Sequence, residues 1–171
     1  MNMRFLLWGA ILGGIALFLW GAITHTLLPQ PLHRFKDEPA MLRALHADGN
    51  GIYLSTVGVF AVVAFRPDFR DKTHEISSNV AIQLGTDMLA ALFLCILLGG
   101  IRVDSLLGGA AWLAVAGMAA FALKELPYWN WYGFPVSFVA MEAFDLTSKL
   151  FVGGLVVGTL RKWMVPSFSN E

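Results

Sequence analysis

Four long apolar segments restrict the folds open to this chain more than any other feature of its sequence. They occupy approximately residues 5–28, 79–100, 104–124 and 135–160. A helix needs roughly 20 apolar residues to cross the hydrocarbon core of a bilayer, and each segment reaches that length. Backbone polar groups in lipid must be hydrogen-bonded within the segment, which favours helices. The sequence therefore predicts an all-α membrane protein, a single membrane domain over 1–171 built as a four-transmembrane-helix bundle.

The composition supports the same class. Of the 171 residues, 57% are hydrophobic and only 14% are charged, whereas about 25% of the residues of a soluble domain are charged. The formal net charge is zero, so we expect the lipid bilayer and no nucleic acid as a partner. Cys95 is the single cysteine, which excludes an internal disulfide. The first apolar segment is too long for a signal peptide, and no A-x-A cleavage site follows it, so we expect an uncleaved helix.

Residues 29–78, between the first two apolar segments, predict a small extramembrane α-β-β excursion. Asp37 is a suitable helix N-cap, Pro39 falls in the first turn, and Gly49 follows the last helical residue. Residues 51–65 are rich in β-branched and aromatic side chains, as in two short strands joined by a turn. This stretch is too short to cross the membrane as an upright helix, and an interfacial or re-entrant segment is the alternative.

An aromatic segment before the fourth helix predicts a membrane interface on the same side as the excursion. Its interface residues are Tyr128, Trp129, Trp131 and Tyr132, since Trp and Tyr favour the headgroup level. With four spans, both termini lie on the other side. Basic residues at the helix ends there favour cytoplasmic termini, while six basic residues of the excursion favour the opposite orientation. We predict cytoplasmic termini, because a short tail before a long apolar helix usually stays inside.

The apolar segments also carry ionisable residues at one common depth, near the excursion. We predict a polar or ion cluster formed by His25, Asp87, Glu142, Asp145 and Lys149. On the fourth helix the last three of these share one face, and the i,i+4 spacing predicts an ion pair between Asp145 and Lys149. Glu125 ends the third segment next to Lys124, where we expect it to be solvated.

The cluster has two interpretations. Three acids and one lysine leave a surplus of negative charge at low dielectric, which must be met by protonation, by His25, by an arginine of the excursion or by a bound cation. Alternatively, the polar side chains only fix helix register. The chain lacks the G-x-S-x-G, H-E-x-x-H and phosphate-loop motifs, so no catalytic residues are predicted. No cofactor is implied, although a pigment or a metal at His25 is an alternative.

Glycines spaced four residues apart, such as Gly9 with Gly13 and Gly154 with Gly158, predict close helix contacts within the bundle and with other membrane subunits or a second copy. The function predicted from these features is that of a non-enzymatic integral membrane protein, an accessory or scaffold subunit of a larger membrane complex. The alternative is a small membrane enzyme, or a metal- or proton-binding protein that uses the His/Asp/Glu cluster.

Three motifs add a resemblance to a known group of proteins. They are FLWGAITHTLLP, DGNGIY and WNWYGFP, the last followed by FVGGLVVGTL. Together they resemble a group of small bacterial integral membrane proteins without an assigned activity. The resemblance covers most of the chain and implies a bacterial inner membrane location, but no reaction or substrate. In the pattern of that group we expect a proline after GIYLS, and this chain has Thr56 at that position instead.

Overall fold

The computed structural model describes residues 2–28, 36–64, 72–101 and 105–165. Over these ranges the chain forms helices and one small antiparallel sheet. In chain order the elements are α1 (Met3–Leu27), α2 (Glu38–Asp48), β1 (Gly51–Leu54), β2 (Phe60–Val63), α3 (Lys72–Gly100), α4 (Leu106–Tyr132) and α5 (Val136–Met164).

Four of the helices are long and apolar enough to cross a membrane, judged by length and composition. They are α1, the Ser78–Gly100 part of α3, α4 and α5. This confirms the prediction of four apolar helices and indicates an integral membrane protein. Three helices extend well beyond their predicted bounds: α3 already begins at Lys72, α4 continues to Tyr132 and α5 continues to Met164. Arg161 and Lys162 lie in the last turn of α5, where positive charge stabilises a helix C-terminus.

The segment between α1 and α3 contains the predicted helix and hairpin. The Asp37 side chain caps α2 by accepting a hydrogen bond from the backbone N–H of Ala40 at 3.0 Å, and the helix ends at Asp48 with Gly49 as its C-cap. Strands β1 and β2 pair in antiparallel register, with Gly51 opposite Val63. We call these two strands and their turn the hairpin. Residues 51–63 are therefore not helical, as the β-branched composition predicts.

The third helix continues through residue 132 into the aromatic segment, so its predicted end at residue 124 was wrong. Helix α4 runs through Pro127 and ends at Tyr132. Gly133 stops it in the left-handed conformation, with φ +70°, and its N–H donates to the carbonyl of Trp129 at 3.2 Å. A proline cannot donate the usual helical hydrogen bond, which favours a break. Here ring stacking around Tyr128 holds the last turns in place.

Helix α5 is the centre of the bundle. It packs against α4, α1 and α3, and α1 also packs along α3. The apolar core lies mostly in the half of the bundle that is distant from the hairpin. Its buried members are Phe5, Leu17, Ala91, Leu94, Cys95, Leu98, Leu113, Val157 and Leu160.

Glycines allow the helices of this apolar half to approach closely. A Cβ atom on Gly154 of α5 would lie 2.8 Å from the Cα of Ala110 in α4, and one on Gly153 would lie 2.7 Å from a methyl carbon of Leu17 in α1. Between α1 and α3, a Cβ on Gly14 would lie 2.6 Å from the Cα of Met88. These glycines pack inside the chain, so they give no support to contacts with a further subunit.

Candidate functional site: a polar cluster shared by three helices

A group of polar side chains joins α1, α3 and α5 in the half of the bundle nearer the hairpin. We call it the polar cluster. Its members are Trp20, Thr24 and His25 of α1, Gln83 and Asp87 of α3, and Glu142, Asp145, Ser148 and Lys149 of α5. All five residues predicted as the ion cluster belong to it.

An ion pair connects α5 to α3 inside the bundle. The ammonium nitrogen of Lys149 lies 2.8 Å from Oδ1 of Asp87, and the two side chains are only 18% and 7% exposed. The amide of Gln83 donates to the other Asp87 oxygen at 3.2 Å. Asp87 thus has a base and a neutral donor, as a buried carboxylate requires.

The predicted pair between Asp145 and Lys149 was wrong, because Lys149 pairs with Asp87 instead. The i,i+4 spacing would allow the local pair, but Asp87 is the more buried acid and gains more from a neutralising base. The absence of a side chain at Gly21 leaves room for the lysine. A Cβ atom there would lie 3.3 Å from Lys149 Nζ.

Asp145 is held by α1 instead. Its Oδ1 accepts a hydrogen bond from the hydroxyl of Thr24, which is buried. Its Oδ2 lies 4.0 Å from Nε2 of His25, whose side chain is 60% exposed while that of Asp145 is 15% exposed. Among the residues that the structure describes, the base nearest to Asp145 is therefore a histidine at the rim of the cluster, and it is positively charged only when protonated.

A second contact between α1 and α5 uses neutral side chains. The indole N–H of Trp20 donates to the hydroxyl of Ser148 at 2.9 Å, and that hydroxyl donates to the backbone carbonyl of Asp145 at 3.2 Å. Trp20, Thr24 and Ser148 were missed at the level of sequence, because uncharged polar residues are common in membrane helices. The positions of two of them could have predicted that they belong to the cluster, since Ser148 shares a helix face with Asp145 and Thr24 directly precedes His25.

Glu142 differs from the other cluster members. It is half-buried, and its electrostatic neighbours are the acids Glu125 and Asp145 and the bases His25 and Lys124. Within the part of the chain that the structure describes, no side chain forms a hydrogen bond or an ion pair with it. Its carboxylate is thus close to two other acids and has no direct partner among the described residues.

The expectation of a solvated Glu125 was wrong. Glu125 is buried, and its carboxylate pairs with the exposed ammonium of Lys124 at 2.9 Å. The physical reason is the length of α4. Because the helix continues to Tyr132, residue 125 lies within the helix rather than at its end.

The four predicted interface aromatics divide into two pairs. The rings of Tyr128 and Tyr132 belong to a group of contacting aromatic rings with Phe60 of the hairpin, Phe134 and Phe138, which we call the aromatic corner. Trp129 and Trp131, on the same turns of α4, are exposed. The corner fastens the hairpin to the end of α4 and the beginning of α5.

The donor set of the polar cluster limits its chemistry. Among the described residues, no three His, Cys, Asp or Glu side chains are placed so that they could hold a metal ion. Cys95 is buried in the apolar core, away from His25. What the described side chains can do is neutralise charge, exchange protons at carboxylates and bind helices to each other.

Searches against protein-family models, curated proteins and solved structures find no match to this chain. The resemblance to small bacterial membrane proteins therefore stays a prediction. The polar cluster and the packing of the helices are the basis for a functional proposal.

Proposed function

We propose that this chain is a non-enzymatic integral membrane protein that serves as an accessory or scaffold subunit of a larger membrane complex. The observation that carries the proposal is that the buried polar side chains, which are costly to place in a membrane, contact each other between helices. Lys149 and Asp87 join α5 to α3, while Thr24 and Asp145 join α1 to α5. Buried polar groups that partner each other in this way are best suited to fixing helix register.

The packing of α4 supports a partner outside the chain. Among the described elements, α4 makes its extensive contacts with α5, while α1 and α3 pack mainly with each other and with α5. The outer side of α4 carries large exposed apolar side chains: Leu107, Trp112, Val115, Met118 and Leu123. In lipid, helices associate through van der Waals packing rather than through the hydrophobic effect, and this surface is long enough for another helix.

Photocrosslinking in native membranes tests the proposal. A crosslinking amino acid at Val115 samples the outer side of α4, and one at Leu19, which is exposed on α1, is the matched control. We expect protein adducts from position 115 and chiefly lipid adducts from position 19, together with a larger assembly in native electrophoresis. A monomer in mild detergent without protein adducts at either position would contradict an accessory role.

A second candidate function is proton or cation binding at the acids of the cluster. Glu142 favours it, because this carboxylate lies near Glu125 and Asp145 and has no direct partner among the described residues. Surplus negative charge at low dielectric is met by a proton or a cation. Infrared spectroscopy tests for the proton. We expect a band of a protonated carboxylic acid that disappears in Glu142→Gln and persists in Asp87→Asn.

A further inference from the structure

The hairpin carries an apolar face that neither candidate function uses. In the strand register Ile52 lies opposite Val62, and Leu54 lies opposite Phe60. Directly opposite residues share a face, and alternate residues of a strand do so as well. All four side chains therefore project from one side of the hairpin. Three of them are largely exposed: Ile52 and Leu54 at 74% and Val62 at 62%.

The fourth residue of this face fixes its position relative to the bundle. Phe60 stacks on Tyr132 with ring centroids 4.2 Å apart and an angle of 22° between the planes. Tyr132 is the last residue of α4, which is long and apolar enough to cross a membrane. The apolar face of the hairpin is therefore held at the end of a candidate span.

The surroundings of this helix end indicate what covers the face. Trp129 and Trp131 are exposed on the last turns of α4, and amphipathic aromatic side chains concentrate at the headgroup level of a bilayer. The hairpin face is thus held beside exposed tryptophans that favour the membrane interface.

The backbone of the hairpin sets the depth that it can reach. A sheet of two strands has two open edges, whose N–H and C=O groups are not paired within the sheet. Such edges are too costly in the hydrocarbon core, where no water can satisfy them. At the interface, water and lipid carbonyl groups are available to them.

We propose that the hairpin is a lipid-binding element that lies in the membrane interface, with Ile52, Leu54 and Val62 directed towards the acyl chains. The exposed turn residues Val57 and Val59 extend the apolar surface beyond the strands. The excursion then rests on the bilayer rather than standing free in water. A protein partner for this face is the competing occupant.

Fluorescence quenching in liposomes of the full-length protein separates these outcomes. Single cysteines at Leu54 and Val62 carry a bimane label, and Arg43, which is exposed on α2, provides the matched control position. Cys95 is buried, so the parent protein should take up no label. Lipids brominated on their acyl chains report contact with the membrane, and aqueous iodide reports contact with water.

We expect the labels at positions 54 and 62 to lose emission with brominated lipid and to resist iodide, with the reverse at position 43. Quenching by iodide at position 54 as strong as at position 43 would overturn the proposal, because the face would then be in water. Protection of the label from both quenchers would overturn it too, because protein rather than lipid would then cover the face.

Discussion

The two halves of the helical bundle differ in the polar contacts between their helices. In the half near the termini, glycines such as Gly154 let helices approach until backbone contacts backbone. In the half near the hairpin, directional contacts such as the ion pair of Lys149 with Asp87 join them. Lipid chains are as apolar as the core, so burial alone does not drive the helices together. Close packing at glycines thus brings the helices together, whereas the ion pair and hydrogen bonds fix the rotation of each helix about its own axis.

The largest effect should come from breaking the ion pair. Lys149→Met leaves Asp87 buried without its base, and such a loss typically costs about 3–5 kcal/mol. Thermal unfolding in detergent, followed by circular dichroism, should show a strongly reduced stability. Lys162→Met, at an exposed position in the last turn of the same helix, is the control and should lose only the smaller helix-end contribution, about 0.3–1 kcal/mol.

A double variant sharpens this test by identifying the partner. Adding Asp87→Leu to Lys149→Met should restore much of the stability, because it removes the stranded charge. Adding Asp145→Leu should not. The opposite pattern would mean that Lys149 pairs within its own helix, as the i,i+4 spacing alone predicts, and the contrast between the two halves would lose its main support.

The choice of Lys149 between Asp87 and Asp145 shows how much of the site can be predicted from the sequence. The depth of Asp87, Asp145 and Lys149 follows from counting residues along apolar segments, and the contacts of these residues agree with it. Which acid Lys149 meets depends on the rotation of α5 against α3 and on the space left at Gly21. Neither can be read from one helix in isolation.

For the fold as well, features set by the local sequence were predicted, whereas features that depend on contacts between distant residues were not. Four apolar segments, the Asp37 cap and the hairpin are set by composition and spacing, and all three were predicted. The course of α4 past Pro127 was not, because the ring of Phe60, which stacks on Tyr132 in its last turn, comes from the distant hairpin. The burial of Glu125 follows from that longer helix and was missed for the same reason.

The next largest effect tests the half near the termini. In Gly154→Ala the new methyl group would lie 2.8 Å from the Cα of Ala110, so α4 and α5 must move apart. Overpacking of this kind costs about 1–3 kcal/mol. Gly85→Ala is the matched control, because a Cβ at Gly85 meets nothing within 4 Å. Equal stability of the two variants would show that close approach of α4 and α5 contributes little.

A smaller effect should follow from removing one neutral contact of the polar half. Trp20→Phe deletes the indole N–H that donates to Ser148, and a hydrogen bond of this type contributes about 0.5–1.5 kcal/mol. Trp112→Phe on the exposed side of α4 is the control for loss of ring size. Chemical unfolding in mixed micelles should distinguish the two. If both variants lose the same amount, the hydrogen bond adds nothing to the packing of the ring.

The smallest effect is expected for Glu142→Gln, and it tests whether the polar half does more than join helices. Glu142 lies near the acids Glu125 and Asp145, so removing its charge should leave the stability equal or slightly higher, within about 0.5 kcal/mol. Asp87→Asn is the control and should destabilise, because it breaks the ion pair with Lys149. A loss of stability in Glu142→Gln as large as in the control would make Glu142 a structural member of the cluster. Unchanged stability with loss of the larger assembly, or of the protonated-acid band, would instead assign this carboxylate to function.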